Sequence, residues 1–258
     1  MAALQPEISI EMNILSWALA VSKAGGPSEA PAGLPADSLP ALEQELRALG
    51  LTDDDGALTE DWRDTIRRAS EAPVTASVVT RTGGVSSHCD IGLFEGRGLA
   101  RTTARSVHAE AGGEIAVDGI AERMTVALFP QDALWEVVSR SMPELPELTS
   151  TAMPALGTEE RIAVSPAMAA ELDATGRATV QTAVSTASSQ SSHLWILTDR
   201  LAEVKTVPHA DGVTSAEGEP AGVVLLPREP GAIARELVWD VLGAWDFLRG
   251  AATAGVGA

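Results

Sequence analysis

Apolar residues three and four positions apart mark three amphipathic helices in the amino-terminal part of the chain. The first covers residues 8–21. The second has a leucine stripe over residues 39–49 and ends at Gly50, a residue type that commonly follows a helix. The third begins after Thr59, whose side chain can cap a helix, and has acidic residues in its first turn. The sequence therefore predicts a helical start to the fold.

From residue 74 the pattern changes to the alternation and β-branched residues that are typical of strands. The first group of predicted strands spans residues 74–81, 85–94, 99–106, 114–117 and 123–129. Turns are expected at residues 82–84, 95–98 and 118–119, and a helix at residues 130–142. The later part predicts a helix at 166–174, strands at 178–184, 192–197, 201–207 and 222–226, and a long helix at 231–249.

Two stretches of sequence occur twice in the same order. Residues 78–88 match residues 183–193, and residues 126–131 match residues 223–228. We therefore predict an α+β fold of two similar antiparallel-sheet-plus-helix subdomains, related by a pseudo-twofold axis. The first unit would be residues 1–142, the connector 143–161 and the second unit 162–258. In this alignment His88 and His193 occupy the same strand position in the two units.

Charge and cysteine content restrict the class of partner and the compartment. Lys and Arg number 18 against 36 Asp and Glu, which gives a formal net charge of −18. Such a surface repels nucleic acid and anionic membranes, so neither is expected as a partner. The single cysteine, Cys89, excludes an intrachain disulfide and fits a reducing compartment. We expect a cytoplasmic protein without a transmembrane span.

The sequence carries no catalytic or metal-binding pattern. His88 and Cys89 are neighbours in a predicted strand and therefore point to opposite faces, where they could not share a metal ion. The segment Gly96-Arg97-Gly98 lacks the Lys-Ser/Thr of a phosphate-binding loop and precedes a strand. We predict no catalytic residue, no metal and no cofactor. A small hydrolase using His88 or His193 with a nearby serine is the alternative, and a self-associating acidic scaffold is another.

Trp239 lies on the polar side of the last predicted helix, on the side of Arg235 and Asp246. Exposed tryptophans are frequent energetic centres of protein interfaces. Two interpretations remain open, since either a partner or another helix of the chain, such as the first one, could cover this side chain.

Three segments resemble EspG-type proteins, which are associated with ESX (type VII) secretion. They are residues 42–56, with a Gly-Leu pair and an acidic turn, residues 70–73, which end in proline, and residues 126–130. The resemblance implies a non-catalytic chaperone of helical PE/PPE-type secreted substrates, with a quasi-twofold α/β fold. A homodimer, as in the scaffold alternative, also stays open. Four residues become candidate partner contacts by position: Phe94, Arg97, Arg235 and Trp239.

Overall fold

The computed structural model describes residues 8–25, 34–110, 114–152, 160–206 and 222–254. Within these residues ten strands form a single sheet in which every neighbouring pair is antiparallel. The strands are β1 (Ile8–Asn13), β2 (Val74–Thr82), β3 (Val85–Phe94), β4 (Arg97–Ala109), β5 (Ile115–Pro130), β6 (Ile162–Val164), β7 (Ala178–Ser185), β8 (Gln190–Leu197), β9 (Leu201–Thr206) and β10 (Val223–Pro227).

The strand order is β1-β5-β4-β3-β2-β7-β8-β9-β10-β6. The pairing of β2 with β7 joins a first half, β1 to β5, to a second half, β6 to β10. Outward from this pair the order is β2-β3-β4-β5-β1 in the first half and β7-β8-β9-β10-β6 in the second. In both halves the strand that comes first in the chain therefore lies at the outer edge of the sheet. The fold is therefore α+β and antiparallel, as the sequence predicts, and the strands of both halves join in one large sheet.

Seven α-helices accompany the sheet within the described residues. They are α1 (Ile14–Ala24), α2 (Leu39–Ala48), α3 (Glu60–Ser70), α4 (Leu134–Arg140), α5 (Pro146–Thr149), α6 (Pro166–Thr175) and α7 (Ala232–Ala254). Short 3-10 turns precede α2 and α4. The predicted helices corresponding to α2, α3, α6 and α7 are present. The end of the predicted strand 201–207 at Val207, and residues 153–159 of the predicted connector, lie outside the described residues.

Two apolar cores lie on opposite faces of the sheet. The core on the face that we call the α7 face runs across both halves, and α4, α5 and α7 pack on it with buried side chains such as Val138, Leu148 and Leu237. The core on the other face, the α1–α3 face, lies over the first half, where Met12 and Leu46 are completely buried. The helix α6 contributes no buried side chain.

The predicted helix over residues 8–21 is wrong in its first part, because residues Ile8–Asn13 form β1. Ser9 and Glu11 alternate there with apolar residues, and the strand pairs with β5, where Ile8 lies opposite Leu128. Asn13 then caps α1, since its side-chain oxygen accepts a hydrogen bond from the backbone N–H of Leu15 at 2.8 Å.

The predicted turn at residues 118–119 is also wrong, because β5 continues through Gly119, which pairs with Ser106 of β4. The hairpin closes instead between Glu110 and Glu114, where the backbone N–H donates to the carbonyl oxygen at 2.7 Å. Two register shifts between β4 and β5 mark bulges whose extra residues lie on β5. The predicted helix 130–142 is shorter than expected, since Pro130 is the last residue of β5 and α4 begins at Leu134.

Candidate functional site

The long helix α7 has one buried and one exposed apolar side. Leu237 and Val241 are buried against the sheet, as is expected for residues four positions apart. On the other side Trp239 is 64% exposed and Leu242 48% exposed. The interpretation in which the first helix covers Trp239 is wrong, because α1 packs against α2 and α3. The exposed apolar side of α7 is therefore a real surface of the chain as the structure describes it.

A cavity of about 760 Å³ adjoins this side of α7. Its walls come from the carboxyl-terminal half of α7, from the end of α3 and from the turn between β3 and β4. Phe94, Leu242 and Trp245 supply its apolar lining, and Arg68 and Arg249 lie at its charged margin. We call this cavity and the exposed side of α7 together the α7–turn surface.

The turn between β3 and β4 is held firmly in place. Glu95 and Gly96 both have positive φ angles, of 47° and 77°, as a two-residue hairpin turn requires. The carboxylate of Glu95 forms an ion pair with Arg68 of α3. The carbonyl oxygen of Gly96 accepts a hydrogen bond from the backbone N–H of Gln131 at 2.9 Å. This side of the cavity is therefore fixed by both α3 and the end of β5.

The four candidate contact residues do not all meet at one place. Phe94 lines the cavity beside α7 although it is only 6% exposed. Trp239 lies on the exposed side of the same helix, and Arg235, one turn earlier, forms an ion pair with Glu236 at 2.7 Å. Arg97 is the first residue of β4, opposite Phe94 in the ladder, and does not line the cavity. Their role in binding a partner stays a prediction.

A buried charged cluster connects the sheet to the inner side of α7. The ring of His193 in β8 bonds through Nδ1 to Glu203 Oε1 of β9 at 2.8 Å, and through Nε2 to Asp240 Oδ2 of α7 at 3.0 Å. The second oxygen of Glu203 accepts a hydrogen bond from Arg228 at 2.7 Å. Lys205 lies 3.3 Å from Glu203 Oε1. The sequence pattern did not single out Glu203, Arg228 or Asp240.

The cluster shifts the pKa of two of its members. The hydrogen bond to Glu203 raises the pKa of His193; burial opposes this and the charge of Asp240 reinforces it. Burial by itself would raise the pKa of Glu203, but the hydrogen bonds from His193 and Arg228 and the charge of Lys205 lower it to about 2. Because both nitrogens of His193 already face carboxylates, the ring has no free position from which to activate a nucleophile.

His88 and His193 do not occupy equivalent positions, so that part of the predicted repeat is wrong. His193 pairs with Thr182 and faces α7, whereas His88 pairs with Val79 and points to the α1–α3 face. Side chains alternate along a strand, so the sequence match of residues 78–88 with 183–193 aligns residues that point to opposite faces of the sheet. A shift of this match by one residue would align residues on the same face.

Within the described residues, His88 lies in an arrangement that the hydrolase alternative could use. Its Nε2 lies 3.1 Å from the hydroxyl oxygen of Ser86, which is buried. Burial, followed by the charge of Arg105, lowers the pKa of His88, and Asp90 partly opposes this. A neutral histidine beside a serine is compatible with general-base chemistry, but it is equally the usual way to satisfy a half-buried ring on a strand.

Within the described ranges, no group of three or more His, Cys, Asp or Glu side chains is placed to hold a metal ion. No helix in that same part of the chain is both long and apolar enough to cross a bilayer.

Comparison with known proteins identifies a structural relative. No family model matches the chain, and no curated protein matches it in sequence. The fold is similar to that of the Mycobacterium tuberculosis type VII secretion system chaperone EspG5, solved in complex with the PE25-PPE41 dimer. The TM-score is 0.51 at 9% sequence identity, over 86% of this chain and 92% of that chain. The chain therefore has an EspG-type fold.

Proposed function

We propose that this chain is a non-catalytic, cytoplasmic chaperone of type VII secretion that binds a helical secreted substrate of the PE/PPE type. The observation that carries the proposal is the similarity of its fold to that of EspG5 over most of both chains. Fold alone does not define a function, so the proposal also needs a surface suited to such a substrate.

The α7–turn surface has the character that a helical partner requires. An amphipathic helix binds by placing its apolar side in an apolar groove. Trp239 and Leu242 offer such an area on α7, and the cavity beside them is deep enough to receive side chains of a partner. Arg235 lies beside Trp239, and Arg249 at the edge of the cavity, where polar contacts would fix the orientation of the partner.

We also infer that the two halves are related by a pseudo-twofold axis at the β2–β7 pair. The identical order of strands about this pair supports it. Units at residues 1–142 and 162–258 follow from that relation, with 143–161 as the connector.

The first experiment measures binding of a PE/PPE-type heterodimer, with PE25-PPE41 as the first probe, co-expressed with this chain and quantified by calorimetry. Trp239→Ala is expected to weaken binding by about tenfold or more, because a central exposed tryptophan typically contributes about 2 kcal/mol or more. Ile120→Ala is the matched control, since Ile120 is 59% exposed but lies on β5.

Equal affinities of the wild type and of a Trp239→Ala/Leu242→Ala double variant would exclude the α7–turn surface as the binding site. A second copy of the chain could also cover this surface, and light scattering of the purified protein separates that case. A concentration-dependent dimer that Trp239→Ala dissociates would favour the self-associating scaffold instead.

A further inference from the structure

The imidazole of His193 touches groups from two other elements, and this arrangement suggests a device that depends on pH. We propose that protonated His193 is a latch that holds α7 against the sheet and opens when the ring loses its proton. The proposal does not depend on the proposed function, since it concerns only how α7 is attached.

The geometry itself requires the protonated ring. Ionised carboxylates can only accept hydrogen bonds, and both ring nitrogens of His193 lie within 3.0 Å of a carboxylate oxygen, one from Glu203 and one from Asp240. Both nitrogens must therefore carry hydrogen. A neutral ring has a single N–H and can donate to only one of the two carboxylates. If Nδ1 keeps its hydrogen for Glu203, Asp240 of α7 loses its donor; if Nε2 keeps its hydrogen, the bond to Asp240 remains but no longer joins two opposite charges. The attachment of α7 to β8 is therefore weaker in either form of the neutral ring.

The hydrogen bond to Glu203 and the charge of Asp240 raise the pKa of His193 above that of a free histidine, about 6.5. Glu203 of β9 and Asp240 of α7 bond to the ring, and Lys205 of β9 and Arg228, which follows β10, contact Glu203. Arg228 and Lys205 keep Glu203 ionised, and its pKa of about 2 lies far below this value. Trp195 stacks beside the ring with centroids 5.9 Å apart and carries no titratable group. Thr182, opposite His193 on β7, does not titrate either.

The sign of the effect follows from the direction of the shift. The pKa of His193 is raised in the fold, chiefly by its hydrogen bond to Glu203. Its stabilising contribution is therefore fully present below the pKa of a free histidine, about 6.5, and is lost as the pH rises through the folded value. Ile233, Leu237 and Val241 still pack on the sheet in that range, so α7 is expected to loosen rather than unfold.

The direct test uses the unmodified protein. Nuclear magnetic resonance titration of the histidine rings should give His193 a pKa above about 6.5. Hydrogen-exchange protection of α7 amides, corrected for the intrinsic pH dependence of exchange, should fall by about fivefold or more between pH 6 and a pH above the measured pKa of His193, while that of α3 stays constant. If His193 titrates at or below the free value, or if α7 and α3 change alike, the proposal is wrong.

Variants supply a second, independent readout. His193→Gln cannot gain a proton, so its melting temperature should be lower than that of the wild type at pH 6 and should converge with it as the pH rises above the pKa that the titration gives for His193. The expected difference at pH 6 is about 2–4 °C for a chain of this size. His108→Gln is the control, because His108 pairs with Asp118 at 2.8 Å on the exposed part of the β4–β5 hairpin. A His193→Gln protein that keeps the pH dependence of the wild type would contradict the latch.

Discussion

Within the described residues, the first half of the sheet carries an apolar core on each face, whereas the second half carries one on the α7 face, next to a charged cluster, and has only single buried residues such as Ile196 on the other face. In the first half, Leu46 of α2 and Met12 of β1 are completely buried on the α1–α3 face. In the second half, the corresponding helix α6 buries no side chain, and Glu203 is buried instead on the α7 face. The same order of strands is thus compatible with very different sources of stability.

This difference indicates in which half a helix can move relative to the sheet. A second core fixes the first half, so its helices cannot move without loss of apolar contacts. The second half holds α7 partly through charged groups whose strength depends on pH and salt. The charged contact of α7 with the sheet, between Asp240 and His193, therefore lies next to the exposed apolar side of this helix.

The largest expected effect tests the packing of the first half. Leu46→Ala should lower the free energy of unfolding by about 2–5 kcal/mol, because it leaves a cavity in a fully buried site. Met168→Ala in α6 is the counterpart in the second half and should change it by about 0.5 kcal/mol or less, since Met168 is exposed. Chemical denaturation measures both. If both variants lost the same free energy of unfolding, α6 would contribute as much packing as α2, and the proposed difference between the halves would be wrong.

The next effect tests the charged cluster of the second half. Glu203→Gln should destabilise the protein by about 3 kcal/mol at pH 7, because Arg228 and Lys205 lose their buried carboxylate. Glu136→Gln, in an exposed ion pair with Arg140, should cost less than about 1 kcal/mol.

The loss of stability caused by Glu203→Gln should depend on pH. The pKa of Glu203 is lowered to about 2, so its contribution is present above the free value and is lost as the pH falls through about 2. The difference between wild type and Glu203→Gln should therefore shrink below pH 4. A difference that is constant from pH 7 to pH 2 would mean that the charge of Glu203 is not the stabilising element.

A smaller effect tests the close contact between α3 and β3 in the first half. A Cβ atom at Gly92 would lie 2.5 Å from the carbonyl oxygen of Ala69, which belongs to the backbone of α3 and cannot turn aside. Gly92→Ala should therefore lower the free energy of unfolding by about 1–3 kcal/mol, measured by denaturation. Wild-type stability of this variant would show that α3 can shift on the sheet.

The smallest effect has the opposite sign and concerns α7. No atom lies within 4 Å of a Cβ placed at Gly243, in the middle of the helix. Gly243→Ala should therefore raise the free energy of unfolding by about 0.5–1 kcal/mol through helix propensity alone. Thermal melting checks this. A loss of stability would mean that α7 has to bend at this residue.

The sequence predicts elements well where local pattern and tertiary pairing agree. The limits of β2 and β3 follow from β-branched alternation around Gly83-Gly84, which is a local signal. In contrast, the apolar residues of β1 fit helical spacing as well as alternation. Pairing with Leu128 and its neighbours in β5, far along the chain, decides in favour of a strand.

The candidate site could be predicted only in part for the same reason. The exposure of Trp239 follows from helical geometry, and it is found. The cavity between Phe94 and Trp245 depends on the way α7 crosses the sheet, which no local pattern contains. A signal for the charged cluster did exist, since Glu203 follows Leu201 on the inward side of a strand. A charge at such a position predicts a buried partner.

The pairing of β2 with β7 has a consequence for any attempt to divide the protein. These two strands are the inner members of a continuous sheet, and seven residue pairs from Thr75 to Arg81 join them. A fragment that contains only one half would present β2 or β7 as an open edge, and exposed edges of this kind associate with one another. Separately produced halves are therefore expected to aggregate, and to become soluble only when they are produced together.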